Sequence, residues 1–225
     1  MKPKVYIDGK EGTTGLQIYE RLALRDDIEL LLIDEAKRKD VDERKKLINA
    51  ADITFLCLPD AAAKEAVSFV EKDSARIIDA STAHRTAPGW AYGIPELSDA
   101  HKDAIVHAKY TATPGCHASG FVIPVYPLVA AGIIPKETLL TVFSLTGYSG
   151  GGKKMIAEYR APERSPLLNA PRQYALGQTH KHLKEMKAVT GLASEPVFCP
   201  VVADFYSGMQ VTVPLFAGWL KPGAG

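Results

Sequence analysis

The chain has 225 residues, 46% of them hydrophobic, and a formal net charge of +1. That is apolar material for one large core or two modest ones, and near-neutral charge without a long basic run excludes the electrostatic footprint of a nucleic-acid or anionic-membrane binder. No stretch approaches the ~20 apolar residues of a membrane span, and three cysteines without paired spacing exclude a disulfide framework. The start "MKPKVYIDG" reads as a strand rather than a signal peptide. The expectation is a cytoplasmic protein acting on a small molecule, with no nucleic acid, membrane or metal ion as partner.

In the first half, short apolar runs alternate with helical patterns. "KVYIDG" (4–9) is a β-branched strand ending in glycine, and "TGLQIYERLALR" (14–25) repeats apolar residues at helical spacing. "IELLLID" (28–34) predicts a strand, "ERKKLINAA" (43–51) a helix and "DITFLCLP" (52–59) a buried strand. A helix over 61–72 and a strand "ARIIDAS" (75–81) follow. This repetition predicts an α/β fold with a Rossmann-type doubly wound parallel sheet, in which ligands bind beyond the carboxyl ends of the strands. We place this dinucleotide-binding domain at residues 1–115.

From Cys116 the style changes. "ASGFVIPVYPLVAAG" is a helix with two prolines, expected to be kinked or split. Strand-like "TLLTVFSLTGYS", a polar Gly/Lys loop, a proline-rich segment around 162–172 and a helix from about 183 come next. The strands "PVFCPVVADF" and "GMQVTVPLF" close a second domain, residues 116–225, read as α+β with a mixed or antiparallel sheet.

The first βα turn, "DGKEGTTGLQ", spaces Gly9, Gly12 and Gly15 by three. Glycines there let the backbone approach a pyrophosphate, while the helix N-terminus supplies N–H donors and a positive dipole end. We read Gly9, Gly12, Thr13, Thr14 and Gly15 as cofactor-binding; a tight turn without ligand is the plain alternative. At the end of the second strand, Asp34 suits the ribose hydroxyl of NAD, whereas Lys37, Arg38 and Lys39 suit the 2′-phosphate of NADP. The basic cluster also reads as a solvated helix face. We favour NADP.

In "YTATPGCHASG" (110–120), Cys116 opens a helix directly after Pro-Gly. The helix dipole there favours the thiolate, whereas Cys57 and Cys199 lie in apolar strands and read as inert packing. A thiolate beside a nicotinamide suggests attack on an activated acyl group and reduction of the resulting thioester. Of six histidines, His101 and His107 lie in a charged helical region, and His117 is turned ~100° from its neighbour. "GQTHKHLKEM" puts His180 and His182 before a helix, where a loop can deliver an imidazole to a distant cysteine. Anion binders are read in "TGYSGGGKK", with Ser149 and Lys153 on a loop rich in free N–H groups. "DASTAHRT" places Ser81 and Arg85 at a strand end facing the ligand side.

"GKEGTTG", "LCLPD", "DASTAHRT", "YGIPEL", "TPGCHASG", "TGYSGGGK" and "HKHLKEM" stand here in an order that resembles the short form of the N-acetyl-γ-glutamyl-phosphate reductases of arginine biosynthesis. The broader architecture is similar to that of aspartate-semialdehyde and glyceraldehyde-phosphate dehydrogenases. The resemblance implies NADPH-dependent reduction of N-acetyl-γ-glutamyl phosphate to the semialdehyde, with phosphate released and a homo-oligomeric enzyme. By motif, Cys116 is the nucleophile and His180, in preference to His182, the acid/base. Arg85, Ser149, Lys153 and His182 are implied to hold the substrate. Members of the family continue past "LFAGWLKPGAG" into a helix that returns to the cofactor, so this chain reads as C-terminally truncated. An aspartate-semialdehyde-type reductase and a catalytically silent nucleotide-binding protein stand as alternatives. A cysteine hydrolase would leave the glycine turn without a role.

Overall fold

A computed structural model describes residues 1–10, 12–221 and 223, with Thr13 by its backbone alone. It contains two compact units, Met1–Pro114 and Gly115–Gly225. Among the described residues no helix is long and apolar enough to cross a membrane.

The first unit runs β1 (Lys4–Asp8), α1 (Thr13–Leu22), β2 (Glu29–Leu31), α2 (Val41–Ala50), β3 (Ile53–Leu56), α3 (Asp60–Ser68), β4 (Arg76–Asp79), β5 (Ala91–Tyr92), α4 (Asp99–His107) and β6 (Tyr110–Ala112). The strands form one parallel sheet in the order β2-β1-β3-β4-β6-β5. The order reverses between β1 and β3, which makes their carboxyl ends the expected ligand crevice. The alternation of strand and helix buries Tyr6, Ile48, Ala51, Leu56, Ala66 and Ile77 as one cluster. Each such side chain removed from water contributes about 1.5–3 kcal/mol when large and apolar.

Two strand readings change. β2 spans three residues rather than 28–34, because this edge strand pairs only with β1, whose register ends at Tyr6 opposite Leu31. β5 and β6 had no reading at all, being two and three residues long. So short a strand carries no periodicity of its own.

The second unit runs α5 (Cys116–Ala130), β7 (Thr141–Gly147), α6 (Gly152–Arg160), β8 (Arg172–Gln173), α7 (His182–Thr190), β9 (Val197–Ala203) and β10 (Met209–Thr212). Its sheet, in the order β10-β7-β9-β8, is antiparallel at both edges but parallel between β7 and β9. The connection between those two strands contains α6 and α7, long enough for a parallel crossover. Contrary to expectation, α5 is one unbroken helix through Pro124 and Pro127. Both prolines lie on its exposed side, where the carbonyls they orphan one turn earlier can reach water. One turn before Pro124, Gly120 lets α5 touch β10: an added Cβ would lie 2.4 Å from Cγ2 of Val211.

Candidate active site

The glycine turn of the first unit sits at the β1/β3 reversal. Gly9 has φ +89°, and a Cβ there would stand 2.4 Å from the carbonyl oxygen of Cys57, just past β3. A Cβ on Gly15 would stand 2.3 Å from the Gly9 carbonyl oxygen. Both glycines are therefore demanded by the protein's own packing. Gly12 differs: its Cβ would meet only Gly9 O at 3.4 Å and Cys57 O at 3.6 Å, ordinary contacts. Packing leaves room for a side chain that close approach of a ligand would not. Gly12 is also the N-cap of α1, with no side chain capping it, so the helix offers its first-turn N–H groups outward. These features fit a pyrophosphate. Thr14 is exposed in the first turn; the Thr13 side chain lies outside the described residues.

Beneath the turn, Asp8 and Arg44 form a buried pair, with Arg44 Nη2 3.0 Å from Asp8 Oδ2. Burial raises the Asp8 carboxyl above its ordinary range, and the Arg44 hydrogen bonds and charge oppose that rise. Asp34 caps the turn Glu35–Lys37, accepting the Ala36 N–H at 3.0 Å. Lys37 and Arg38 are exposed and make ion pairs with Glu43 and Glu35, each at 3.3 Å. Surface pairs of this kind hold by about 0–1 kcal/mol, so both bases can be redirected to a phosphate at little cost.

In the second unit Cys116 is exposed at the first position of α5. Gly115 before it brings no side-chain cap and the first turn holds no acid, so the dipole acts on the sulfur unopposed from within the helix. His117 points the other way. It is buried, with Nδ1 2.7 Å from Ser144 Oγ and Nε2 2.8 Å from the Tyr174 hydroxyl. Burial, with His180 adding, lowers its pKa to about 4, so it is neutral at physiological pH. Tyr174 had no sequence signal. Burial and then the charge of Cys116 push its phenol up to about 12, which places the hydroxyl in the field of the sulfur as a neutral donor.

His180 completes this cluster, its ring 5.9 Å from that of His117 and 4.6 Å from that of His182. Its Nδ1 accepts the main-chain N–H of His182 at 3.2 Å, so the neutral ring carries its proton on Nε2. The loop before it is held by Gln178, whose amide brackets Phe198: Nε2 donates to the carbonyl at 2.7 Å and Oε1 accepts the N–H at 2.8 Å. Gln178 adopts φ +53° to do so. His182, the first residue of α7, is buried, whereas His180 is half-buried. From α7, Glu185 accepts the Gly115 N–H at 2.7 Å. Cys57, by contrast, has its thiol pushed up to about 12 by burial and by Asp79 and Asp8, as an inert thiol should.

Known proteins resemble the chain over nearly its whole length. Residues 32–105 match the NAD binding domain of semialdehyde dehydrogenases and residues 116–219 their dimerisation domain. The chain is 50% identical over 218 residues to an N-acetyl-γ-glutamyl-phosphate reductase of Trichormus variabilis, covering 95% of this chain and 68% of the relative. It is 47% identical to one of Sinorhizobium fredii, covering 100% and 73%. The chain belongs to the N-acetyl-γ-glutamyl-phosphate reductase family. Its fold is that of aspartate semialdehyde dehydrogenase II of Vibrio cholerae, solved with ASA (TM-score 0.70, 14% identity, 95% of this chain and 74% of that one). The Candida albicans enzyme with NADP is similar too (TM-score 0.66, 16% identity, 96% and 72%).

Two expectations for this member of the reductase family need correction. The "TGYSGGGKK" segment is not an open loop. It is a tight turn, Tyr148–Gly151, running into α6, and the N–H groups of Tyr148 and Ser149 are already given to the carbonyls of Phe205 and Tyr206, each at 2.9 Å. Gly147 allows that approach, since its Cβ would lie 2.7 Å from Phe205 O. Ser149 is half-buried in the turn, and Lys153 is exposed in the first turn of α6. Ser81 is not open to a ligand: it is buried and gives its hydroxyl to Asp79 at 2.6 Å. Arg85 is half-buried, with Nε 3.0 Å from Thr113 O and Nη2 3.3 Å from Ala80 O.

Proposed function

We propose that the protein reduces N-acetyl-γ-glutamyl phosphate to N-acetylglutamate 5-semialdehyde, releasing phosphate, with NADPH as reductant. The observation that carries this reading is Cys116, exposed at an uncapped helix start and followed directly by His117, whose ring lies 5.9 Å from that of His180, a half-buried imidazole with its proton on Nε2. The glycine turn, with Gly12 left open by packing, would hold the pyrophosphate with Thr13, Thr14 and the first-turn N–H groups of α1. Asp34, Lys37 and Arg38 would meet the adenosine ribose and its 2′-phosphate. NADPH supplies a hydride to the acyl carbon.

The remaining chemistry belongs to the chain. The Cys116 thiolate attacks the acyl carbon, the C–O bond to phosphate breaks, and a thioester forms on the sulfur. Once hydride has reached that carbon, the Nε2–H of His180 donates a hydrogen bond to the developing alkoxide of a thiohemiacetal on Cys116. Collapse of that alkoxide breaks the C–S bond, which releases aldehyde and restores the thiolate. Tyr174 borders this reaction as a neutral group, and His182, Arg85, Ser149 and Lys153 would hold the substrate's anionic ends.

The assembly is a homodimer. On the sheet of the second unit the side of β7 and β9 bearing Phe143 and Val197 is open, these residues being 42% and 52% exposed, and a second copy would cover it. Three free thiols, one of them a working nucleophile, suit a reducing compartment, the cytoplasm. Mixing the protein with acyl phosphate without NADPH and weighing it tests the chemistry. An N-acetylglutamyl adduct on Cys116 is expected, and an unmodified Cys116 with phosphate still released would contradict the covalent route.

A further inference from the structure

The segment between β4 and Arg85 is tied down by two carboxylates, and neither has a role in the chemistry above. Asp79, the last residue of β4, is fully buried. Its Oδ1 accepts the Ser81 N–H at 2.9 Å; its Oδ2 accepts the Ser81 hydroxyl at 2.6 Å and faces His84 Nδ1 at 2.6 Å. Asp60, opening α3, takes the N–H and hydroxyl of Thr82 at 2.9 and 2.5 Å. Ser81 Oγ in turn accepts the Ala83 N–H at 3.1 Å. His84 is itself buried, lying flat on Trp90 with ring centroids 4.1 Å apart and planes within 7°. Trp90 stacks on Tyr110.

A surface turn needs one short capping side chain, not a buried carboxylate with a buried imidazole, whose desolvation is costly. What the arrangement fixes is the next residue. Arg85 rests its Nε and Nη2 edge on the carbonyls of Thr113 and Ala80. Thr113 is held by Asp79, whose main-chain oxygen accepts its N–H at 2.8 Å and its hydroxyl at 3.1 Å. Ala80 directly follows Asp79. One residue thus anchors both acceptors and, through His84, the chain entering Arg85. Fork-like recognition of an anion depends on the plane of the guanidinium.

We propose that the Asp79–His84 pair is a positioning device for Arg85, holding its guanidinium plane in the orientation that receives the phosphate or carboxylate of the substrate. The proposal rests on the reading of Arg85 as a substrate ligand, and the test separates the two. Steady-state kinetics are compared for His84→Ala, His84→Asn, Arg85→Ala and the His84→Ala/Arg85→Ala double variant, with thermal unfolding and Trp emission as checks on folding. His84→Ala should raise KM for the acyl phosphate about tenfold, with kcat within about twofold of the parent. His84→Asn, whose amide N–H takes the place of Nδ1–H, should recover most of that loss. In the Arg85→Ala background His84→Ala should add nothing, since residues acting through one another are not additive. An equal further rise in that background, or an unchanged KM in His84→Ala, overturns the proposal. An unchanged KM in Arg85→Ala alone removes the ligand reading itself, and the proposal with it.

Discussion

The main-chain N–H of Gly115 donates to the carboxylate of Glu185 at 2.7 Å. One buried acceptor on α7 therefore holds the residue in front of Cys116, so that the helix following His180 and the helix opening at Cys116 share an anchor. Glu185→Ala should strand that N–H and lower the unfolding free energy by about 2 kcal/mol. Glu185→Gln, which keeps an acceptor, should lose less than half as much and retain most of the turnover. Urea denaturation with steady-state rates measures both. Equal losses in the two variants would show that the bond to Gly115 does not matter.

The three glycines of the turn should separate in their effects. Gly9→Ala and Gly15→Ala drive a Cβ against backbone oxygens at 2.4 and 2.3 Å, and should cost about 1–3 kcal/mol of stability as well as cofactor affinity. Gly12→Ala meets only ordinary contacts and should unfold like the parent, yet bind NADPH at least about tenfold more weakly. Fluorescence titration of NADPH alongside thermal unfolding distinguishes them. Parental affinity in Gly12→Ala would mean that no ligand comes close to that residue.

Stability should depend on pH through His117. Its pKa is lowered from 6.5 to about 4 in the folded state, so between those values the unfolded chain binds the extra proton. This contribution is complete above about pH 6.5 and is lost as pH falls toward 4, a change of roughly 3 kcal/mol. His117→Asn lacks the titrating ring. It should be less stable than the parent at pH 7, by a margin that shrinks at pH 4.5. Denaturant titrations at the two pH values test this, and a constant margin would assign the slope elsewhere.

Cys116→Ser should abolish reduction while NADPH binding persists, because a hydroxyl lacks the thiolate's nucleophilicity and leaving ability. His180→Ala should cut kcat by about 10²–10³-fold, the usual worth of a donor to a developing oxyanion. His182→Gln should act mainly on KM. Normal turnover in Cys116→Ser, or a reversed order for the two histidines, would break the assignment.

Much of the fold was legible because local rules suffice for it. Apolar strands alternating with helical patterns specify a parallel sheet whatever the details of packing. Pro-Gly before Cys116 marks a helix start, and the glycine spacing marks a turn that must close tightly. Local backbone geometry at a chain punctuation mark, as at the helix start of Cys116 and the turn of Gly9, reads from the string alone.

What the string did not contain are relations between residues distant in it. Tyr174 lies 57 positions from the imidazole it contacts, and Glu185 lies 70 from Gly115. Nothing local distinguishes these side chains from others of their kind. The free N–H groups read into the Tyr148–Ser149 turn proved to be given to the carbonyls of Phe205 and Tyr206, and Ser81 proved to serve Asp79. The sequence by itself determined the parallel sheet, the glycine turn and the helix mouth at Cys116, since each follows from backbone preference and hydrophobic period over a few residues. Only the tertiary structure decided which polar groups are already spent on one another, because burial makes most donors and acceptors find a partner and that choice is settled by packing, not by neighbours in the chain.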